Sequence, residues 1–420
     1  METVRSLREL SCADDYDPDS LPVDRARTLI RQFLQPVTTV ERVHIRAALG
    51  RILAEAIHSP LDVPGHDNSA MDGWAVRFAD LASTGTTKLR RVGESFAGKP
   101  FAGSLGAGET VRIFTGAVMP EGADTVVMQE RANEIPEGVS IEAGAVTKAG
   151  QNRRFAGEDL KRGATVFEPG QPVRPPELGM LASLGINEVG VYRRLRVAFF
   201  STGDELRSIG QPLTSGEIYD SNRYTLYGML KRLDCEIVDM GVVPDVPQEL
   251  ERAFATAAAS ADVVITSGGV SVGEADFVRD LMNKLGEVLF WKIAMKPGRP
   301  LAYGRIGNAH FFGLPGNPVA SMLAFMLFVR PAIYKLAGRR RLFPEMAEAT
   351  AVETISKKKG RREFKRGVVH WKNGRWEART TGPQGSGILS SMAAGNCLIV
   401  LEEERGDVAV GETVLVEPFE

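Results

Sequence analysis

Two hydrophobic periods divide this chain. Over residues 24–34 and 42–56, apolar side chains recur at every third or fourth position, which predicts helices. Over residues 59–157 the spacing shortens. Runs such as 110–114 and 125–129 alternate with Gly and Pro turns and predict a small β-rich domain. A proline-rich joint follows, Glu168-Pro169-Gly170-Gln171-Pro172-Val173-Arg174-Pro175-Pro176, and then a short helix over 177–184. From residue 196 to 336, strands at 197–200, 236–239 and 262–266 alternate with helices at 222–233, 247–259 and 274–285. That order predicts a parallel sheet with crossover helices. Residues 319–329 form the most apolar stretch; they fall far short of the ~20 residues that cross a bilayer and predict a buried helix. The last segment returns to short alternating runs, 367–371, 397–401 and 413–416, as in a small β-barrel or sandwich. Residues 1–18 are polar and acidic and are expected to be disordered. The fold class expected is multidomain α/β plus β.

Composition narrows the function more than the fold. A chain of 420 residues, 43% hydrophobic and 25% charged, has room for roughly two to four ordinary domains. Its formal net charge of -2 gives no global field for nucleic acid or an anionic membrane, so any anion site must be local. Cys12, Cys235 and Cys397 are far apart and form no CxxC pair, which argues against a disulfide framework and a thiolate zinc site. Each reads as a buried small apolar residue or a free thiol. His44, His58, His66, His310 and His370 show no metal-binding spacing. The N-terminus has no apolar run long enough for a signal peptide, so a cytoplasmic protein is expected.

The candidate chemistry is concentrated in loops of the α/β segment. Its first strand is followed by Ser201-Thr202-Gly203-Asp204-Glu205-Leu206. The 262–266 strand is followed by Ser267-Gly268-Gly269-Val270-Ser271-Val272-Gly273-Glu274-Ala275-Asp276. Both fall at carboxyl ends of parallel strands, where open α/β sheets bind ligands. Glycine admits close backbone approach, and hydroxyls with backbone N–H groups hold phosphate oxygens. A Gly-rich strand-to-helix turn explains one such loop as well as a ligand does; two loops, each closing on carboxylates, favour the ligand. Neither a Walker A loop nor a GxGxxG fingerprint occurs, which disfavours ordinary nucleotide folds.

Asp245, Asp276 and Glu205 stand where a hard Mg²⁺ ion would take carboxylate and phosphate oxygens. For Asp276 alone, N-capping is the better explanation. Lys292, Lys296 and Arg299 cluster among apolar neighbours in Trp291-Lys292-Ile293-Ala294-Met295-Lys296-Pro297-Gly298-Arg299-Pro300 and suit an oxyanion. Asn317 and Pro318 read as N-cap and first residue of the apolar helix. Lys357-Lys358-Lys359-Gly360-Arg361-Arg362 reads as a solvated hairpin. In the β-rich domain, Asp67, Thr115 and Asp159 lie in polar strings that turns alone would explain.

Taken in order, these strings resemble the molybdopterin molybdenumtransferases of MoeA type, related to the E domain of gephyrin. The resemblance rests on Pro64-Gly65-His66-Asp67-Asn68-Ser69-Ala70-Met71-Asp72-Gly73, Phe114-Thr115-Gly116-Ala117 and Gly157-Glu158-Asp159. The two α/β loops, Lys296-Pro297-Gly298 and Gly313-Leu314-Pro315-Gly316-Asn317-Pro318 complete it. Each string is weak alone; the ordered set, from about residue 20 to the C-terminus, is specific. Departures are Trp74 where Tyr is commoner, Arg299 where Lys is commoner, and Arg153 in place of an apolar residue.

The resemblance implies four domains: a discontinuous linker domain over 19–60 and 158–190, a β-rich domain over 61–157, an α/β molybdopterin-binding domain over 191–337, and a C-terminal β-barrel over 338–420. It implies a homodimer whose active site lies between the α/β domain of one subunit and the β-rich domain of the other. The implied reaction inserts molybdate into adenylylated molybdopterin and releases AMP. Implied catalytic residues are Asp67, Thr115, Asp159, Glu205, Lys292 and Lys296. Ser201, Thr202, Gly203, Asp204, Ser267, Gly268, Gly269, Ser271 and Gly273 would hold the pterin nucleotide. Pro315 and Pro318 match the family's proline loop, and Arg299, Arg361 and Ser386 the oxyanion side. Asp245 and Asp276 would hold Mg²⁺. Implied partners are the molybdopterin adenylyltransferase and other cofactor-biosynthesis proteins, with neither nucleic acid nor membrane. Alternatives are an adenylyltransferase, which would leave the other domains unexplained, and a gephyrin-like scaffold, which would have no need of the acids and lysines. A nicotinamide or flavin enzyme is disfavoured by the missing fingerprint.

Overall fold

The computed structural model describes residues 21–269, 281 and 284–419. The chain forms two compact units. One comprises Met1–Ala54, Gly170–Leu178 and Glu188–Glu420; the other comprises Glu55–Pro169 and Gly179–Asn187.

The first unit is built on a six-stranded sheet. In spatial order its strands are Glu236–Val243, Arg196–Thr202, Val263–Ser267, Ala309–Leu314, Pro300–Ile306 and Gly286–Lys292. The first four run parallel; Pro300–Ile306 pairs antiparallel with both of its neighbours, Ala309–Leu314 and Gly286–Lys292, and these two further strands add an edge that the helix–strand alternation did not reveal. The expected helices at 222–233 and 247–259 appear as Ser221–Arg232 and Pro247–Ser260. The helix expected over 274–285 lies largely outside the described residues. Val263–Ser267, apolar over Val263, Val264 and Ile265, is buried throughout, as a sheet covered on both faces requires.

The apolar helix is longer than its sequence run suggested. It continues from Pro318 to Leu336, 19 residues, and 89% of its most apolar window is buried among the chain's own side chains. Pro331 does not end it, because a π-turn over Phe325–Val329 precedes the proline. The Leu327 carbonyl, which Pro331 cannot serve, accepts a hydrogen bond from Arg27 Nε at 3.1 Å. Arg27 belongs to the expected N-terminal helix, Val23–Phe33.

The second expected helix, over 42–56, does not form. Val40–His44 is a strand paired antiparallel with Glu188–Tyr192, and Ile45–Ala48 is a single 3-10 turn. The β-branched Val40 and Val43 suit that pairing, and Gly50 at φ +82° turns the chain away. The C-terminal segment supplies five strands, and Met295–Lys296 the sixth, of a second six-stranded sheet around Ala351, Ile399, Leu401 and Val416. Cys235 and Cys397 are buried free thiols, and burial pushes both pKa values up to about 12; Cys12 lies outside the described residues.

The second unit carries a six-stranded sheet whose expected runs appear as Glu109–Ile113 and Thr125–Met128. Two small cores flank it, one around Val111 and Val126, the other around Trp74 and Val127.

Candidate active site

All four parallel strands deliver polar residues to one end of their sheet. Thr202 and Gly203 end the first, Asp245 follows Glu236–Val243, Ser267, Gly268 and Gly269 end the third, and Pro315 to Pro318 follow Ala309–Leu314. With Glu205, Arg299 and Ser386 these residues line a cavity of about 630 Å³. From Arg196–Thr202 the chain crosses first to Glu236–Val243 on one side and then to Val263–Ser267 on the other. The cavity therefore opens where strand order reverses, the crevice in which open α/β sheets hold ligands.

Glycine at 268 is a steric requirement. Its φ is +94°, and a Cβ there would run into the Thr202 carbonyl oxygen. The two strand ends consequently meet backbone to backbone. The Thr202 hydroxyl donates to Asp245 Oδ1, and the Asp245 backbone N–H donates to Asp204 Oδ1 at 3.4 Å. Asp204 itself is exposed and does not line the cavity, and Ser201 is fully buried beneath it.

Asn222 is a lining residue that the sequence reading missed. Its Nδ2 donates to Ser267 Oγ at 2.7 Å and to the Gly316 carbonyl at 2.7 Å, tying two ligand loops together. Its Oδ1 has no partner among the described residues. The available signal was a poor helix former one residue inside a helix already capped by Asp220. Asn317 also lines the cavity. It occupies the expected N-cap position, but its side chain makes no capping bond, so Pro318 alone performs the expected end-of-helix role.

The expected cations separate. Arg299 lines the cavity; Lys292, Lys296 and Arg361 do not. Met295–Lys296 runs parallel to Arg362–Lys372, with Lys296 opposite Glu363. Lys296 Nζ lies 3.6 Å from Glu363 Oε1, while Lys365 Nζ lies 2.8 Å from Oε2. Arg361 is exposed next to this pair. The solvated-hairpin reading fails at Lys357, which is 5% exposed. Its ammonium donates to the carbonyls of Lys358, Glu403 and Arg405, which replace water as acceptors. Ser271, Gly273 and Asp276 lie outside the described residues. Among the described residues no three His, Cys, Asp or Glu side chains gather as a metal cluster.

The second unit assembles its own polar cluster. Asp67 accepts from Arg153 Nε at 2.9 Å, from a second Arg153 nitrogen, and from the Ala156 N–H at 2.7 Å. Desolvation alone would raise the Asp67 pKa, but these hydrogen bonds outweigh it and hold the carboxyl below its ordinary value. Arg153, the departure noted above, thus clasps Asp67 and stacks 4.9 Å over the Phe155 ring. Thr115 is held by a residue not singled out: Asp72 Oδ1 accepts from both its N–H and its hydroxyl at 2.7 Å. Those bonds lower the Asp72 pKa. Asp159 is exposed, its N–H donating to the Val63 carbonyl at 3.0 Å.

Three family models match in chain order. They are the MoeA N-terminal region (domain I and II) over residues 21–185, a probable molybdopterin binding domain over 198–335, and the MoeA C-terminal region (domain IV) over 348–419. The chain is 47% identical over 401 residues to the molybdopterin molybdenumtransferase of Haemophilus influenzae, covering 95% of this chain and 98% of that protein. It is 38% identical to the molybdopterin molybdenumtransferase of a Nostoc species, covering 90% and 88%. It resembles the crystal structure of a molybdopterin biosynthesis MoeA protein from Pyrococcus horikoshii with a TM-score of 0.83 at 29% identity, covering 95% of this chain and 100% of that one.

Proposed function

The chain belongs to the MoeA family of molybdopterin molybdenumtransferases, and from that premise we propose that its cavity is where molybdate enters adenylylated molybdopterin with release of AMP. The enzyme is a transferase of molybdenum cofactor biosynthesis. The supporting observation is one cavity, at the strand switch point, lined by Asp245, Glu205, Arg299 and hydroxyl-bearing Thr202, Ser267 and Ser386. Hydroxyls and Gly amides bind the pterin phosphate and adenylate. Arg299 attracts the oxyanion and offsets charge as oxygen leaves, and Lys292, Lys296 and Arg361 belong to the same proposal. Catalysis is then positioning and electrostatics, with no protein nucleophile required.

The donor set fits Mg²⁺. Asp245 and Glu205 present oxygens to the same cavity, and this ion commonly takes one or two carboxylates together with substrate phosphates. Asp276 belongs to the same proposal. Bound there, the ion would screen the charge of the phosphoanhydride. The β-rich cluster of Asp67, Thr115 and Asp159 is proposed to serve the reaction from a second copy of the chain, in a cytoplasmic homodimer of four-domain subunits. The adenylyltransferase that makes the substrate is the expected pathway partner.

The test is AMP release by the purified protein from adenylylated molybdopterin, with and without molybdate. Release that rises with molybdate and falls on magnesium chelation is expected. A rate indifferent to molybdate sinks the reading, and ATP consumption with plain molybdopterin would favour an adenylyltransferase instead.

A further inference from the structure

The strands Arg362–Lys372 and Arg375–Thr380 pair antiparallel and run out past the core of the C-terminal sheet. Asn373 at φ +52° and Gly374 at φ +76° close them in a two-residue turn, which an Asn-Gly pair adopts readily. Residues directly opposite each other share a face, and faces alternate along each strand. On one face Val369 stands opposite Ala378, and both pack into the core around Ile399 and Val416. The next pair outward on that face is Trp371 opposite Trp376. The core no longer covers them: Trp371 is 61% exposed and Trp376 44%, with their rings edge to face at 5.5 Å. Every residue from Trp371 to Trp376 is exposed.

The other face of the hairpin is cationic. It carries Lys372, Arg375 and Arg379 against a single acid, Glu377. Glu377 is buried and lies 3.4 Å from Arg375 Nε, so its charge is answered within the hairpin. Lys372 and Arg379 have no hydrogen-bond or ion-pair partner among the described residues. An uncovered pair of indoles is unfavourable in water unless something takes it up. Two indoles offer at most ~500 Å² of contact, short of the ~800 Å² that each partner gives a stable protein interface. A second copy or another folded protein therefore finds too little surface on this tip. A lipid headgroup layer needs no such area. Indole rings settle at the boundary between membrane and water, and each Lys or Arg beside them strengthens attachment to anionic lipid roughly fivefold.

We propose that the Trp371–Trp376 hairpin is a peripheral membrane contact: it enters an anionic headgroup layer tip first, with the two indoles in the layer and Lys372, Arg375 and Arg379 against the lipid phosphates. The formal net charge of -2 gives the whole chain no attraction for such a surface, so the contact is local. It departs from the resemblance, which implies no membrane, and it is independent of the molybdate reading of the cavity.

The test is sedimentation of the full chain with vesicles of phosphatidylglycerol and phosphatidylcholine in equal parts, against vesicles of phosphatidylcholine alone, with tryptophan emission read in parallel. The chain has four tryptophans, and Trp74 and Trp291 are buried, so a change in emission reports the hairpin. At low salt the partition coefficient is expected to be about tenfold or more higher on the anionic vesicles, to fall in high salt, and to bring a blue shift of emission. Trp371→Ala is expected to weaken binding about tenfold. Lys372→Glu combined with Arg379→Glu keeps both rings and is expected to bring the two vesicle types within about twofold of each other. Equal sedimentation of the wild type with both vesicles, or sedimentation without a blue shift, overturns the proposal, because the hairpin then does not enter the layer. A blue shift that grows with protein concentration in the absence of lipid also overturns it, because a second copy then covers the rings. Should Trp371→Ala not fold, the double charge variant gives the decision: undiminished preference for anionic vesicles overturns the proposal.

Discussion

The α/β cavity and the β-rich cluster hold similar residue types but satisfy them differently. In the cluster every bonded acid has a partner of its own: Asp67 is clasped by Arg153, and Asp72 is saturated by Thr115. In the cavity, Asp245 is bonded by the neutral Thr202 hydroxyl, and Asn222 keeps an oxygen without a partner. A closed cluster fixes the shape of a loop. An open one leaves charge and hydrogen-bonding capacity for a ligand, at a desolvation cost that the ligand relieves.

The largest test of that contrast is Asp245→Asn. It leaves the shape and removes the charge, so AMP release should fall about 100-fold or more with stability little changed. A loss of less than about threefold would make the cavity acids as structural as Asp72.

Acid should separate the two units next. His310 lies in strand Ala309–Leu314, stacked on Tyr303, and burial holds its pKa down to about 4. It stays neutral in the fold while the unfolded chain takes up a proton near its ordinary value of 6.5. The stability this contributes is complete above pH 6.5 and falls by on the order of 3 kcal/mol as pH drops toward 4. Asp67 and Asp72 are shifted below their ordinary value of 3.8, so their contribution survives that window and is lost only as pH falls further, through their lowered values. Hydrogen exchange at about pH 7 and pH 4.5 should show protection, corrected for intrinsic rates, falling in Ala309–Leu314 and holding in Glu109–Ile113. Equal losses in both strands would break the comparison.

Asn222→Ala comes third. It strips the donor from Ser267 Oγ and the Gly316 carbonyl and should cost about 1–3 kcal/mol in urea unfolding, with weaker pterin-nucleotide binding. A neutral effect on both would remove Asn222 from the site. The smallest expected effect is that of Thr115→Val. Asp72 keeps the Thr115 N–H, so stability should move by no more than about 1 kcal/mol, measured by the same unfolding.

Much of the fold was legible because its signals are local. Glycine turns, strand–helix alternation and a proline-opened apolar helix each depend on neighbours in sequence. The helix expected over 42–56 failed because β-branched Val43 fits a strand as well as a helix, and pairing of Val40–His44 with Glu188–Tyr192 decided between them. The two edge strands, joined to the sheet by antiparallel pairings, were missed because no crossover helix announces them. Within the site, Thr202, Asp245 and Ser267 were legible as residues that follow or end strands, and Pro315 through the motif that opens the apolar helix. Asn222 was not, because its partners stand 45 and 94 residues away.

The order of motifs along this chain determines by itself the family, the parallel core and the strand ends on which the loops sit. Only the tertiary structure decided which of the marked charges face the cavity, that Lys357 is buried, and that Arg153 holds Asp67. A residue's type reports its own chemistry. Whether a charge is paired, screened or left open depends on groups brought close by packing, and electrostatics inside a fold is set by that distance rather than by separation in sequence.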